Sequence, residues 1–349
     1  MRLLTVMGAR PQFVKHAPVS RELRRRGDLA IDDTIVHTGQ HHDIELSQRQ
    51  FEALGLPAPD VNLGVHGGSP TDALGRMLQA LDVILVEVKP DAVLVYGDTT
   101  STLAGAISAA NRDIPLIHVE AGLRSFDRTM PEERNRVLTD RLASLLFAPT
   151  ETAVGNLELE GITDGVHRTG DVMLDAFLQT PSEPEAAKVL LDRIGIKGAF
   201  VLATLHRAES TTDAGALSSR LEYIVKTADG LPVILPLHPR TRDAAERFRV
   251  NFGSVHVVEP LDYRVFAALL ANCLLVITDS GGVQKEAYFH RVPCVTLRSA
   301  TEWPETVDAG WNRLWDDSAW RAPRTEITDY GVGNAAEKIV ATIQKQLGV

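Results

Sequence analysis

The sequence predicts an α/β protein built from two doubly wound domains. Short, almost wholly apolar runs recur along the chain, helical patterns separate them, and the alternation starts afresh after Gly170. A strand that is apolar on both faces belongs in a parallel sheet covered by helices on each side, because a sheet with one wet face shows alternation instead. The 349 residues suit two such domains at roughly 100–200 residues each.

In the first set the expected strands are Leu3–Met7, Asp33–His37, Ala92–Tyr96, Leu116–Val119 and Leu145–Ala148. Helical spacing places helices at Phe13–Arg26, Asp43–Leu54, Pro70–Val88, Ser101–Asn111 and Glu132–Ala143. Arg24-Arg25-Arg26 closes the first of these, where cations complement the helix dipole. The second set has strands at Phe200–Thr204, Val233–Leu237, Val255–Val258, Leu274–Thr278 and Cys294–Leu297. Its helices are Asp213–Thr227, Arg242–Phe252, Tyr263–Ala271 and Val283–Phe289, and a last helix spans Asn334–Leu347. Residues 178–190 have linker composition, and the domain boundary is placed just before them, between residues 171 and 172.

Composition narrows the function. Acidic residues outnumber basic ones 46 to 36, for a formal charge of -10, so nucleic acid is not an expected partner. Cys273 and Cys294 each lie in an apolar run and read as thiols in core strands rather than as a disulfide framework. No apolar stretch reaches the ~18 residues of a membrane span, and the first eight residues read as a strand and turn, so no membrane association and a cytoplasmic location are expected. There is no P-loop and no zinc-ligand spacing, so neither a metal nor a cofactor is expected.

Ligands of open α/β sheets bind beyond the carboxyl ends of strands, and there the unusual polar residues gather. Gly8-Ala9-Arg10-Pro11 opens a helix with Lys15 one turn in, a setting for a phosphate. Gly97-Asp98-Thr99 follows an apolar strand, where Asp98 is either a carboxylate of the site or a helix cap. His118-Val119-Glu120-Ala121-Gly122-Leu123-Arg124 puts Glu120 at a strand end, with Arg124 a possible ion-pair partner for it. Pro131-Glu132-Glu133 starts a helix, and His206-Arg207 ends the first strand of the second domain. In Thr278-Asp279-Ser280-Gly281-Gly282, a hydroxyl and two glycines let backbone N–H groups meet a diphosphate at a helix N-terminus. Glu286, one turn further, suits the hydroxyls of a ribose.

Together, in this order and spacing, the motifs resemble the non-hydrolysing UDP-N-acetylglucosamine 2-epimerase family over nearly the whole chain. The resemblance implies a glycosyltransferase-B-type architecture, two Rossmann-like domains with the active site in an interdomain cleft. It also implies that the last helix returns to the first domain, so the expected domains are residues 1–171 with 331–349, and 172–330. It makes Asp98, Glu120, Glu132 and His206 the catalytic candidates, and Arg10, Lys15, Ser280, Gly281, Gly282 and Glu286 the UDP-binding ones. The implied substrate is a UDP-sugar, the implied assembly a homodimer.

The chain departs from the best-known bacterial members of that family at three places. Gln284-Lys285-Glu286 stands where they have Gln-Glu-Glu, and Trp303 where they have an Arg that contacts UDP. Asp43, in Gln40-His41-His42-Asp43, stands where members activated by a second bound substrate have Gln. Gly8–Phe13 and Trp303 are more similar to a branch acting on UDP-2,3-diacetamido-glucuronate.

The chemistry implied is elimination of UDP to a 2-acetamidoglycal, followed by re-addition with protonation on the opposite face of C2. C2–H of such a sugar is not next to a carbonyl, so departure of UDP must first build positive charge at C1. That calls for a proton-transfer group on each face and for stabilisation of the leaving diphosphate. Asp98, Glu120 and Glu132 are expected to cluster.

Overall fold

The computed structural model describes residues 1–26, 31–39, 50–207 and 209–348. The motif Gln40–Asp43 and most of the helix expected over Asp43–Leu54 lie outside the described residues, and residues 50–54 are helical. The chain divides into two compact units, Met1–Thr180 with Thr328–Val349, and Pro181–Ile327.

Among the described residues of the first unit, seven parallel strands form one sheet in the order β3-β2-β1-β4-β5-β6-β7. They are β1 (Arg2–Met7), β2 (Asp32–His37), β3 (Val61–Asn62), β4 (Ala92–Tyr96), β5 (Leu116–Val119), β6 (Leu145–Ala148) and β7 (Val166–Arg168). The described helices are α1 (Arg10–Arg25), α2 (Pro70–Val88), α3 (Thr100–Ala110), α4 (Pro131–Leu142), α5 (Glu151–Leu159), α6 (Val172–Gln179) and, from the end of the chain, α13 (Ala335–Leu347). Alternate β1 residues serve opposite faces: Leu4 and Val6 join Met77, Leu81, Ala104 and Ala106 of α2 and α3 in one core. Burying each such Leu or Val stabilises the fold by roughly 1.5–3 kcal/mol.

The second unit repeats the plan. Its six strands run parallel in the order β10-β9-β8-β11-β12-β13. They are β8 (Val201–Thr204), β9 (Val233–Pro236), β10 (His256–Val258), β11 (Leu275–Thr278), β12 (Cys294–Thr296) and β13 (Asn312–Leu314). Its helices are α7 (Pro184–Arg193), α8 (Ala214–Thr227), α9 (Pro239–Phe248), α10 (Tyr263–Asn272), α11 (Gly281–Phe289) and α12 (Pro304–Asp308). Leu202 packs into the core built with α7 and α10, while Val201 and Ala203 pack into the core on the other face. In each unit the order reverses direction beside the first strand, which leaves a crevice at the carboxyl ends of the central strands.

Several elements differ from the sequence reading. The edge strands β3, β7 and β13 are two or three residues long, too short for an apolar pattern. Helix α6, expected in the second domain, packs on α1 and α13 instead. Asp175 of α6 accepts the amide N–H groups of Ala335 (3.1 Å) and Ala336 (2.8 Å) at the start of α13. Residues 184–190 of the stretch given linker composition above fall in α7, because Ala187 and Leu190 lie on one face and are buried. Both cysteines are free and buried, but Cys273 ends α10 rather than lying in a strand, and burial pushes its thiol up to about 12. No described helix is long and apolar enough to cross a membrane.

Candidate active site

In the first unit the site is assembled at the carboxyl ends of β1, β4 and β5. Helix α1 has no side-chain cap at Ala9, so Gln12 reaches back and accepts from the N–H groups of Gly8 (2.7 Å) and Ala9 (3.0 Å). Its amide nitrogen donates to the Tyr96 carbonyl and to Thr102 Oγ1, both at 3.0 Å. One glutamine thereby joins the loop after β1 to the loop after β4 and sets where α1 begins. Arg10 is the first residue of that helix, and Lys15 lies in its second turn.

Lys15 is buried and forms an ion pair with Glu120. Glu120 follows β5 in the left-handed region, at φ 73°, a conformation that costs a residue with a Cβ roughly 1–2 kcal/mol. Two hydrogen bonds hold it there, from the N–H groups of Glu120 (3.0 Å) and Ala121 (3.1 Å) to the Phe147 carbonyl. Gly97 closes the other side of the pair. At φ +63°, a Cβ on it would lie 3.2 Å from Lys15 Nζ and 3.3 Å from Glu120 Oε2. Gly97→Ala is expected to lower activity at least tenfold with a loss of about 1–2 kcal/mol in stability, from backbone strain and displacement of the pair. Steady-state turnover and thermal melts of that variant check it, and parent-like turnover would show that the close approach does not matter.

Arg124 was one expected partner of Glu120, and the structure corrects this. Arg124 donates to Asp140 Oδ2 at 2.7 Å and, through two nitrogens, to Glu160 at 2.6 and 2.8 Å. Glu120 is turned toward α1, so Lys15 takes it. Asp140 also receives His118 Nδ1 at 2.7 Å, and the other nitrogen of that ring donates to the Gly97 carbonyl at 2.8 Å. Burial alone would raise the Asp140 carboxyl, but His118 and Arg124 beside it hold it below the usual carboxylate range. This buried Arg124–Asp140–His118 chain braces the backbone turn that precedes Asp98.

Asp98 pairs with the buried guanidinium of Arg136, and its carbonyl accepts from Asn135 Nδ2 at 2.9 Å. Arg136 is positioned in turn by Glu133 at 2.5 Å. Glu133 is itself fixed by the N–H groups of Ser125 and Phe126 and by the Ser125 hydroxyl, each at 2.9 Å. The two glutamates at the start of α4 thus differ in setting: Glu133 is buried in this bracket, and Glu132 is half-buried. Two of the three carboxylates expected to cluster are matched with cations, Asp98 with Arg136 and Glu120 with Lys15. Sequence reasoning missed Arg136; its only signal was a position three residues after Glu133, where helical side chains meet.

In the second unit the central group is Asp279, which is fully buried at the end of β11. Its Oδ2 accepts from the N–H groups of His206 and Arg207, both at 2.9 Å, and from the Ser210 hydroxyl at 2.8 Å. Its Oδ1 lies 3.1 Å from His206 Nδ1, so the Nε2 edge of this partly exposed ring is left for a ligand. Burial alone would raise the Asp279 carboxyl, yet His206 and the two backbone N–H groups hold it well below the usual carboxylate range. His206 lies against the ring of His238, with centroids 5.5 Å apart, and Arg240 donates to the His206 carbonyl at 3.3 Å. Asp279, His238 and Arg240 were not anticipated as partners of His206, because the sheet, not the sequence, makes β8, β9 and β11 neighbours.

Ser280 caps α11, its hydroxyl accepting from the Val283 N–H at 3.5 Å. Gly281 and Gly282 form the first turn of that helix, and Glu286 lies one turn on and is half-buried. Over the bare face of Gly281, within 3.7–3.8 Å of where a Cβ would stand, are Arg207 Nη2, Glu302 Oε2 and Trp303 Nε1. Polar backbone at a helix amino end, an oriented imidazole and the Arg207 guanidinium are groups suited to an anion, with the Glu302 carboxylate beside them. The structure therefore gathers Lys15, Asp98 and Glu120 in the first unit, with Arg10 and Glu132 opening the adjoining helices, and His206, Ser280, Gly281, Gly282 and Glu286 in the second.

Comparison with known proteins fits both halves. A family profile described as UDP-N-acetylglucosamine 2-epimerase matches residues 21–344. A UDP-N-acetylglucosamine 2-epimerase homolog of Methanococcus maripaludis is 44% identical, covering 99% of each chain. The UDP-2,3-diacetamido-2,3-dideoxy-D-glucuronate 2-epimerase of Pseudomonas aeruginosa is 43% identical, over 99% of this chain and 100% of that one. Among solved structures, the Methanocaldococcus jannaschii UDP-GlcNAc 2-epimerase in complex with UDP-GlcNAc and UDP superposes with a TM-score of 0.88 at 37% identity, over 99% of this chain and 100% of the other. With two Rossmann-like units and this run of motifs, the chain belongs to the UDP-N-acetylglucosamine 2-epimerase family.

Proposed function

We propose that the protein is a non-hydrolysing UDP-N-acetylglucosamine 2-epimerase, an isomerase interconverting UDP-N-acetylglucosamine and UDP-N-acetylmannosamine. The observation that carries the reading is the pairing of Asp98 with Arg136 and of Glu120 with Lys15, two cation-matched carboxylates beside Gly97. In this reading the second unit holds the leaving UDP. The amides of Ser280, Gly281 and Gly282, with His206, meet the diphosphate, and Glu286 meets the ribose. Arg10 and Lys15 add positive charge for the phosphates.

The C1–O bond breaks as UDP leaves with the bonding electrons, and a carboxylate takes the C2 proton, leaving the 2-acetamidoglycal. UDP then adds back to C1 while a second acid delivers a proton to the opposite face of C2. Asp98, Glu120 and Glu132 are the groups proposed for these transfers. Positive charge at Lys15 and Arg136, with a hydrogen bond from His206, stabilises the charge that develops on the diphosphate.

A second reading has a specific basis. The 43% identical Pseudomonas relative, together with the resemblance of Gly8–Phe13 and Trp303 to that branch, favours UDP-2,3-diacetamido-glucuronate as an alternative substrate. One experiment tests both. Each UDP-sugar is incubated with the protein in deuterated water and followed by NMR. The true substrate gains deuterium at C2 and yields its epimer. Free N-acetylmannosamine with UDP would mean hydrolysis instead, and transfer to an added acceptor without C2 exchange would mean a glycosyltransferase. The reading carries with it a cytoplasmic location and a homodimer, the latter checked by sedimentation equilibrium.

A further inference from the structure

Lys285 is fully buried in α11, one turn beyond the two glycines that open the helix. Its ammonium stands 3.7 Å from the ring centroid of Trp303, which is also buried. Taking an ammonium out of water costs several kcal/mol unless negative potential meets it, and the face of an indole supplies such potential. The same contact fixes the indole. Its Nε1 edge stands 3.8 Å from where a Cβ on Gly281 would lie, beside Arg207 and Glu302. Hydrogen bonds hold the turn: the backbone N–H of Trp303 donates to Thr301 Oγ1 at 3.1 Å, and the Thr301 hydroxyl donates to Gln284 Oε1 of α11 at 2.6 Å. Positions 285 and 303 are also two of the three at which the sequence departs from the best-known family pattern. In space these two departures are in direct contact.

We propose that Lys285 and Trp303 act as one positioning unit for the diphosphate. The ammonium locks the ring, and the indole N–H donates to a diphosphate oxygen seated over Gly281. This rests on the reading that the amino end of α11 holds UDP. It adds that two residues of opposite character, one polar and buried, one aromatic, must change together.

The test is calorimetric binding of UDP and of uridine to the full chain and to four variants, each with a thermal melt. Trp303→Phe keeps a ring face for the ammonium but removes the donor. It is expected to lose about tenfold in affinity for UDP and nothing for uridine, which has no phosphate. Lys285→Glu and Trp303→Arg are each expected to lose about tenfold or more for UDP, the first by setting a carboxylate against the ring and the second by setting two cations together. The double variant is expected to return to within about threefold of the parent, since carboxylate and guanidinium then pair and the guanidinium supplies the donor. Equal losses for UDP and uridine, additive losses in the double variant, or parent-like UDP binding by Trp303→Phe would each overturn the proposal. If the charge variants fail to fold, Trp303→Phe still decides. A parent protein that does not bind UDP would overturn the functional reading as well, whereas a parent that binds UDP without coupling overturns this inference alone.

Discussion

Asp98→Asn protein is expected to bind UDP nearly as the parent does and to lose C2 proton exchange by about 10²- to 10⁴-fold, the range typical of a removed general acid or base. The amide keeps an acceptor for Arg136 and nearly the same volume, so the bracket of Arg136, Glu133 and Ser125 survives. What disappears is the capacity to take or give a proton. Glu120→Gln is expected to behave alike, because the amide oxygen can still accept from Lys15 while the left-handed turn is held by the Phe147 carbonyl rather than by the side chain. Deuterium incorporation at C2 in single-turnover NMR, with UDP affinity measured in parallel, separates chemistry from binding. Near-normal incorporation by both variants would remove these two residues from the mechanism.

Asp279→Asn is the second large effect, and it acts on stability as well as on the site. The carboxylate takes three donors on Oδ2 and lies next to His206 Nδ1 with Oδ1, all without solvent. An amide offers one acceptor and brings two donors of its own, so some of these bonds must break. Leaving buried donors unsatisfied costs about 1–3 kcal/mol each, so a loss of about 3 kcal/mol is expected, which for a unit of this size lowers the melting temperature by roughly 10 °C. The sign of the pH dependence follows from the depressed carboxyl. A group held below its unfolded pKa contributes stability that is present above about pH 4 and is lost as pH falls toward the folded value. The parent should therefore lose stability on acidification below about pH 4, and the Asn variant should lack that component. It should also bind UDP more weakly, because the carboxylate beside His206 Nδ1 that orients the ring is lost. Parent-like melting across that range would show that Asp279 is neither ionised nor structurally needed.

The same two sites show how far residues alone reveal a fold and a site. Strands such as Ala92–Tyr96 were legible because every residue in them is buried, and so short an unbroken apolar run, with Pro90 before it and Gly97 after it, fits a strand covered on both faces better than an amphipathic helix. The short edges β7 and β13 were not, since three residues carry no period. The boundary fell elsewhere for a related reason. Residues 178–190 look like a linker in composition, yet two apolar side chains at helical spacing within them are enough once a neighbouring helix offers a face for them.

By itself the sequence determined the fold class, the positions of the polar loops and the kinds of charge in each, because burial on both faces imposes an apolar pattern on each strand and leaves polar residues only at its ends. Tertiary structure alone decided which charge meets which. Arg124 lies four residues from Glu120 but pairs with Asp140 and Glu160, whereas Lys15, more than a hundred positions away in the chain, pairs with Glu120. Parallel strands joined by crossover helices bring together loops that are distant in sequence, and Coulomb interactions depend on separation in space, which no one-dimensional spacing encodes.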